Sequence, residues 1–214
     1  HQVCPFELSL DLALWVDCII CDYNYVFDPR VRLRRFFEDG SRTHAILVDE
    51  AHNLVDRARE MFSATLNKAD TLALRRELKA LQPGICKTLG RINTWMLKAR
   101  KRCDTDGDAI ADAAAPEALV PHLRDFQRRS EVILAERRAG ADSELLLEQY
   151  FAVLRFLRVF DQYDAAYRTC YRRAGNDLDV RLYCLDPARQ LRAVLDLCRS
   201  AVFFSATLRP NDYY

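Results

Sequence analysis

Asp49-Glu50-Ala51-His52 stands at the end of the apolar run His44-Ala45-Ile46-Leu47-Val48, and the two together restrict the fold more than any other stretch of the chain. A short apolar run with β-branched residues, bounded by polar ones, reads as a buried parallel strand over Thr43–Val48. Carboxylates at the far end of such a strand lie where open α/β sheets bind their ligands. There the chemistry open to Asp49 is to hold Mg²⁺, through water. The chemistry open to Glu50 is to polarise an attacking water, as phosphoryl transfer requires. The competing reading is a strand-end acidic pair that only caps the next helix.

A second strand with a polar end stands near the C-terminus, Ala201-Val202-Phe203-Phe204-Ser205-Ala206-Thr207-Leu208. The hydroxyls of Ser205 and Thr207, with Ala206 between them, can hydrogen-bond a neighbouring carboxylate or imidazole. The same three letters at Ser63-Ala64-Thr65 have no apolar strand leading into them and carry no such reading.

Asp-Glu-Ala-His followed later by Ser-Ala-Thr is similar to motifs II and III of superfamily 2 helicases. The flanks narrow the likeness. Cys4-Pro5-Phe6 with a helix after it, Tyr23-Asn24-Tyr25-Val26-Phe27-Asp28-Pro29, Asn53 after the acidic box, and Cys184-Leu185-Asp186-Pro187 before the last strand resemble the XPD/DinG-like family of iron–sulfur DNA helicases. The resemblance covers the chain up to about Met61 and again from about Val180. Between them only position speaks: the family places a helical arch domain between motifs II and III. Ala206 departs from the eukaryotic XPD-like members, which usually have Gly, and agrees with the wider superfamily.

The resemblance implies a parent protein that hydrolyses Mg·ATP and unwinds DNA 5′→3′, engaging single strand and fork. It assigns Asp49 to Mg²⁺, Glu50 to the attacking water and His52 to sensing nucleotide state. It assigns Ser205, Ala206 and Thr207 to coupling that state to the grip on DNA. It makes Cys4 the last of four thiolates around a [4Fe–4S] cluster, the other three lying before His1.

The chain has 214 residues, begins with His1 and carries a net charge of +1. An excised or processed piece is expected. The charge balance puts any nucleic-acid surface in local patches. No apolar run is long enough to cross a membrane and no export signal is present, so a soluble intracellular protein is expected, cytoplasmic if bacterial and nuclear if eukaryotic. Eight cysteines without an export signal read as thiols or metal ligands rather than disulfides. Cys18-Ile19-Ile20-Cys21 falls in Val16–Cys21, which reads as a buried strand, so both thiols are expected in the core. None of the six glycines is followed by Lys, so the phosphate-cradling loop G-x-x-x-x-G-K-[ST] is missing. So are the arginines that a second motor domain supplies in the superfamily. The fragment by itself is therefore expected to be inactive, with no ATP, Mg²⁺ or cluster bound.

The organisation follows: an α/β fold in which residues 1–62 and 178–214 form a partial RecA-like motor domain, with a mostly helical arch over 63–177. Helices are expected at Pro5–Leu14, Val31–Phe37, Asn53–Met61, Lys68–Leu81, from after a break at Pro83-Gly84 to about Arg102, and at Glu117–Ala139 and Glu144–Arg173, with Cys103–Pro116 a loop. In the last of these helices Phe156, Phe160, Tyr163, Tyr167 and Tyr171 recur every three or four residues and read as a core stripe, with base stacking beside Arg155, Arg158, Arg168, Arg172 and Arg173 the alternative. Leu178–Leu185 is expected as a strand returning to the motor. Lys98, Arg100, Lys101 and Arg102 are the densest basic run. They are either a solvated helix end or contacts to nucleic-acid phosphates, with a protein partner for the arch the remaining possibility. The rival to the helicase reading is a stand-alone helical DNA-gate or protein-docking module without enzymatic activity.

Overall fold

A computed structural model describes residues 3–37, 42–138 and 142–206. In chain order the elements are α1 (Pro5–Leu12), α2 (Asn24–Phe27), β1 (Ala45–Val48), α3 (Leu54–Met61), β2 (Ala64–Asn67), α4 (Lys68–Glu77) and α5 (Pro83–Asp106). They continue with β3 (Ala109–Asp112), α6 (Val120–Ala135), α7 (Glu144–Phe160), β4 (Tyr167–Ala174), β5 (Asp177–Cys184), α8 (Ala188–Leu195) and β6 (Ser200–Phe203). The chain divides into two compact units, one drawn from His1–Leu54 and Ala193–Tyr214, the other from Val55–Arg192. The fold is mixed α/β, as expected. Among the described residues no helix is long and apolar enough to cross a membrane.

In the first unit β1 and β6 pair in parallel, Ala45 opposite Ser200 through Val48 opposite Phe203. Parallel pairing needs a long crossover connection, and the whole of the second unit lies between these strands in sequence. Burial departs from expectation. Val48 is buried, but Leu47 is 71% exposed and Val202 52%. These strands are apolar because parallel strands are normally covered on both faces; among the described residues most of that cover is missing.

Val16–Cys21 is not a strand. The segment is irregular, Ile20 is 97% exposed, and Cys18 and Cys21 are exposed rather than in the core. An apolar run becomes a strand only if a neighbour takes its backbone groups. In the described sheet of this unit, β1 pairs with β6 alone. Val31–Phe37 likewise forms no α-helix, only a 3₁₀ turn at Arg34–Phe36.

The second unit is a four-stranded antiparallel sheet, in the order β2-β5-β4-β3, with α4, α5 and α7 packed against it and α6 packed on α5 and α7. Leu74, Leu89, Ile92, Met96, Leu123, Phe126, Val153 and Phe156 supply the helical side of the core, all fully buried. Burying each stabilises by about 1.5–3 kcal/mol relative to exposure. α4 starts at Asn67, whose side chain accepts from the backbone N–H of Ala69 and Asp70, and α7 starts at Ser143, which caps Leu146. Such caps satisfy donors that the first helical turn leaves free.

Three expectations fail in this unit. The helix expected over Glu144–Arg173 ends at Phe160, and Tyr167 and Tyr171 lie on β4. Cys103–Pro116 is not loop throughout, because α5 runs on to Asp106 and Ala109–Asp112 forms an edge strand on β4. Leu178–Leu185 is a strand, but it does not join β1 and β6. As β5 it lies between β2 and β4, burying Leu178, Val180, Leu182 and Cys184 on alternate positions. The compact units accordingly part at Leu54/Val55 and Arg192/Ala193, outside the boundaries at 62/63 and 177/178 that the sequence suggested.

Candidate active site

The parallel ladder continues past the strands and carries the two polar motifs to each other. Phe204 donates its N–H to the Val48 carbonyl at 3.0 Å, and Ala51 donates to the Phe204 carbonyl at 3.1 Å. That register sets Ser205 beside Glu50. Between the two bonds the chain turns sharply: Glu50 has φ 48° and ψ 43°, a left-handed conformation that costs a residue with a Cβ about 1–2 kcal/mol. A 3₁₀ turn over Ala51–Asn53 follows.

Six contacts hold the turn and its side chains. The Asp49 carboxylate accepts the Glu50 N–H at 2.7 Å. The Tyr23 hydroxyl donates to the backbone carbonyls of Asp49 and Glu50, at 2.9 Å in the second case. Ser205 Oγ lies 3.2 Å from Glu50 Oε2. His52 Nδ1 lies 2.7 Å from Ser205 Oγ and 3.1 Å from Glu50 Oε2. All three side-chain contacts are satisfied at once when Nδ1 carries a proton and Ser205 donates to the carboxylate. Asp49 and Glu50 are exposed at the strand end, whereas His52 and Ser205 are half-buried.

The arrangement has a chemical meaning. One Asp49 oxygen is taken by the turn, and the carboxylate stays open to solvent. That suits Mg²⁺, which keeps several waters and needs only one or two protein carboxylates beside substrate phosphates. The Glu50 carboxylate is held through Oε2 by Ser205 and His52, and general-base chemistry is open to a carboxylate placed in this way. A cluster is a different matter. Among the described residues no three His, Cys, Asp or Glu side chains converge as metal ligands. Cys4 is one exposed thiol before α1, so the described residues do not by themselves hold an iron–sulfur cluster.

Of the residues that the sequence singled out, Asp49, Glu50, His52 and Ser205 come together. Ala206 follows them, exposed, and Thr207 lies outside the described residues. The basic run on α5 does not form one cationic face. Arg100 donates to the Asn176 side chain at 2.9 Å. Arg102 pairs with Asp112 at 2.9 Å and lies over the Tyr171 ring. Lys98 and Lys101 are exposed. Tyr23 is the contributor that the sequence reading missed. It opened a recognised stretch, but nothing in its spacing from the acidic box pointed to the contact.

The sequence model of the DEAD_2 family matches residues 1–71. The Fanconi anemia group J protein homolog of Gallus gallus is 34% identical over 77 residues, covering 36% of this chain and 6% of that protein. Human Regulator of telomere elongation helicase 1 is 32% identical over 92 residues, 39% of this chain and 7% of that protein. The ATP-dependent DNA helicase CHL1 of Meyerozyma guilliermondii is 20% identical over 250 residues, spanning 100% of this chain and 29% of its own length. The chain thus spans less than a third of each of these relatives, and the resemblance to the XPD/DinG-like helicases holds.

Proposed function

We propose, with that resemblance as premise, that the chain is the DEAH-bearing piece of an ATP-dependent DNA helicase that unwinds 5′→3′. Its first RecA-like motor domain takes the unit of residues 1–54 and 193–214, and the unit of residues 55–192 is an arch domain inserted in it. One observation carries the reading. Glu50, His52 and Ser205 meet within 3.2 Å although 153 residues separate His52 from Ser205 in sequence. A strand-end carboxylate pair that served only as a helix cap would need no such partner.

In this reading Asp49 holds Mg²⁺ through water, and the metal's part is to neutralise charge on the phosphates. Glu50 orients the attacking water and takes its proton. Ser205 and His52 keep the Glu50 carboxylate in one rotamer, and Tyr23 braces the backbone beneath both acids. Because Ser205 follows β6 and Glu50 follows β1, a shift of either strand end changes the hold on the base. That gives the site a route for reporting nucleotide state to the rest of the motor. Cys4 as a ligand of a [4Fe–4S] cluster belongs to the same proposal for the parent protein, with the other thiolates drawn from outside the described residues.

Replacing Glu50 by Gln in the full-length protein tests the assignment. The amide is nearly isosteric and cannot take a proton. Nucleotide binding is expected to persist while hydrolysis falls below a few per cent of wild type, roughly the hundredfold or greater contribution of a positioned base. Turnover above that level would remove Glu50 from the role. A second reading, a DNA-gate or docking module without enzymatic activity, draws on the separate core of the Val55–Arg192 unit. A full-length protein that binds DNA but neither binds nor hydrolyses ATP would favour it.

A further inference from the structure

We infer that Tyr23 is a positioning residue for the acidic box: its hydroxyl selects the left-handed conformation of Glu50, so that the aim of the base is set by α2, an element outside both polar motifs. Tyr23 in this role presupposes the reading of Glu50 as the base.

The geometry lies in the backbone. The two dihedral angles of a residue fix how the peptide groups before and after it are turned against each other. Around an extended residue the two flanking carbonyls point to opposite sides; around a residue with helical angles of either hand they point to the same side. The carbonyls that flank the Glu50 Cα are those of Asp49 and Glu50. Both accept from the Tyr23 hydroxyl, the second at 2.9 Å. One hydroxyl meets both because Glu50 has left the strand conformation, at φ 48° and ψ 43°. Two carbonyl oxygens brought together in this way repel each other, and the hydroxyl proton between them offsets the repulsion. The net contribution of one hydrogen bond and the cost of a left-handed residue with a Cβ are of similar size. The hydroxyl is therefore enough to tip residue 50 from extended to left-handed.

The conformation matters for the carboxylate. In it, Glu50 Oε2 meets Ser205 at 3.2 Å and His52 at 3.1 Å, and the Ala51 N–H reaches the Phe204 carbonyl at 3.1 Å. An extended residue 50 would continue the alternation of β1 and turn its side chain to another side. Because the two Tyr23 bonds end on main-chain oxygens, they take no lone pair from the carboxylates that face metal and water.

The hydroxyl can select a backbone conformation only if it is itself held. The helix that carries it, α2, has four residues, too few to stand alone. Three contacts fix it from the sides. The Asn24 N–H donates to Asp22 Oδ1 at 3.0 Å. Phe27 is buried at its end, and the buried Asp28 carboxylate accepts from Arg30 Nε on both oxygens, at 2.9 and 3.0 Å. The Leu33 N–H donates to the Tyr25 carbonyl at 2.9 Å. All these residues belong to the same compact unit as the acidic box.

The test is Tyr23→Phe in the full-length protein, which keeps the ring and removes only the hydroxyl. The control is Tyr25→Phe, two residues along the same helix, where the hydroxyl makes no hydrogen bond among the described residues. Turnover of ATP by Tyr23→Phe is expected to fall about five- to tenfold, the factor by which one net hydrogen bond shifts a balance of two conformations. KM for ATP is expected to stay near wild type, because the base contributes in the transition state and not to ground-state binding. In a Glu50→Gln background the same replacement is expected to have no further effect, since the residue through which the hydroxyl acts is already disabled. Tyr25→Phe is expected to behave as wild type.

A second readout needs no nucleotide. Amide hydrogen exchange in the peptide spanning the acidic box is expected to be about five- to tenfold faster in Tyr23→Phe, as the Ala51 N–H loses its hold on Phe204, and unchanged in Tyr25→Phe. Wild-type turnover or wild-type exchange in Tyr23→Phe, an equal change in Tyr25→Phe, or the same fold-loss of turnover in the Glu50→Gln background would each overturn the assignment of Tyr23. If instead Glu50→Gln itself retains turnover, the base is misassigned, and the exchange measurement still decides whether Tyr23 holds the turn.

Discussion

Glu50 occupies a left-handed backbone conformation that most residues avoid, in a turn braced by the Tyr23 hydroxyl from below. Such strain persists only where the surroundings over-determine it, and it gathers at functional sites. Its effect here is to swing the Glu50 carboxylate toward Ser205 and His52 instead of along the strand axis. Ser205→Ala removes the donor 3.2 Å from the carboxylate and leaves the backbone ladder intact. In the full-length protein, ATP turnover is expected to fall about tenfold, less than the hundredfold or more that a positioned base itself contributes, with nucleotide affinity little changed. Ser205→Thr, which keeps the hydroxyl, is expected to restore most of the rate. Turnover that survives Ser205→Ala would show the contact to be incidental.

The residues of this cluster were legible in the sequence because each is the polar end of an apolar strand, and strand ends are where sheets of this class work. Tyr23 was not, because a hydroxyl that braces a backbone carbonyl leaves no periodic trace.

At the scale of elements the most instructive failure is the long aromatic helix. Residues four apart share a face on a helix, but they share one on a strand as well, so Tyr163, Tyr167 and Tyr171 could not separate the two. The intervening residues could: Tyr167, Thr169 and Tyr171 are buried while Arg168 and Arg172 are not, which is period two. Gly175-Asn176 then joins β4 to β5, with Ala174 opposite Asp177. A two-residue Gly-Asn connection between apolar–polar alternating runs is a hairpin signal, and it outweighs the helical spacing.

Gly175 has φ 58°, and a Cβ there would meet nothing within 4 Å, so a substitution is penalised by backbone alone. Gly175→Val is expected to lower stability by about 1–2 kcal/mol, read as a shift of the urea midpoint. Gly175→Asn, which tolerates this region, is expected to cost less. Equal effects would mean that the turn is not held in the left-handed conformation.

At the scale of the whole molecule, the chain joins a unit with a continuous core to a unit whose apolar strands are largely bare. Leu47, Val202, Phe203 and Phe204 are all exposed on a pair of parallel strands, an arrangement that is stable in α/β proteins when helices cover both faces. The mixed α/β class was readable from the alternation of strand and helix signals. The unit boundaries were not, since β5 looks like any apolar strand until its neighbours are known.

Nucleotide chemistry turns on the glycines. Binding a triphosphate tightly takes a glycine loop whose backbone N–H groups wrap the phosphates and a Lys that reaches them, and none of the six glycines in the sequence precedes a Lys. Asp49 and Glu50 are acidic groups and by themselves repel a triphosphate; only through a metal do they attract it. The 214-residue chain is therefore expected to show no heat of binding when titrated calorimetrically with Mg·ATP. The full-length protein is expected to bind in the micromolar range usual for enzyme substrates. Micromolar binding by this chain alone would mean that its own residues cradle the phosphates. The reading of Asp49, Glu50, His52 and Ser205 as one part of a larger motor would then give way to a nucleotide site of another kind.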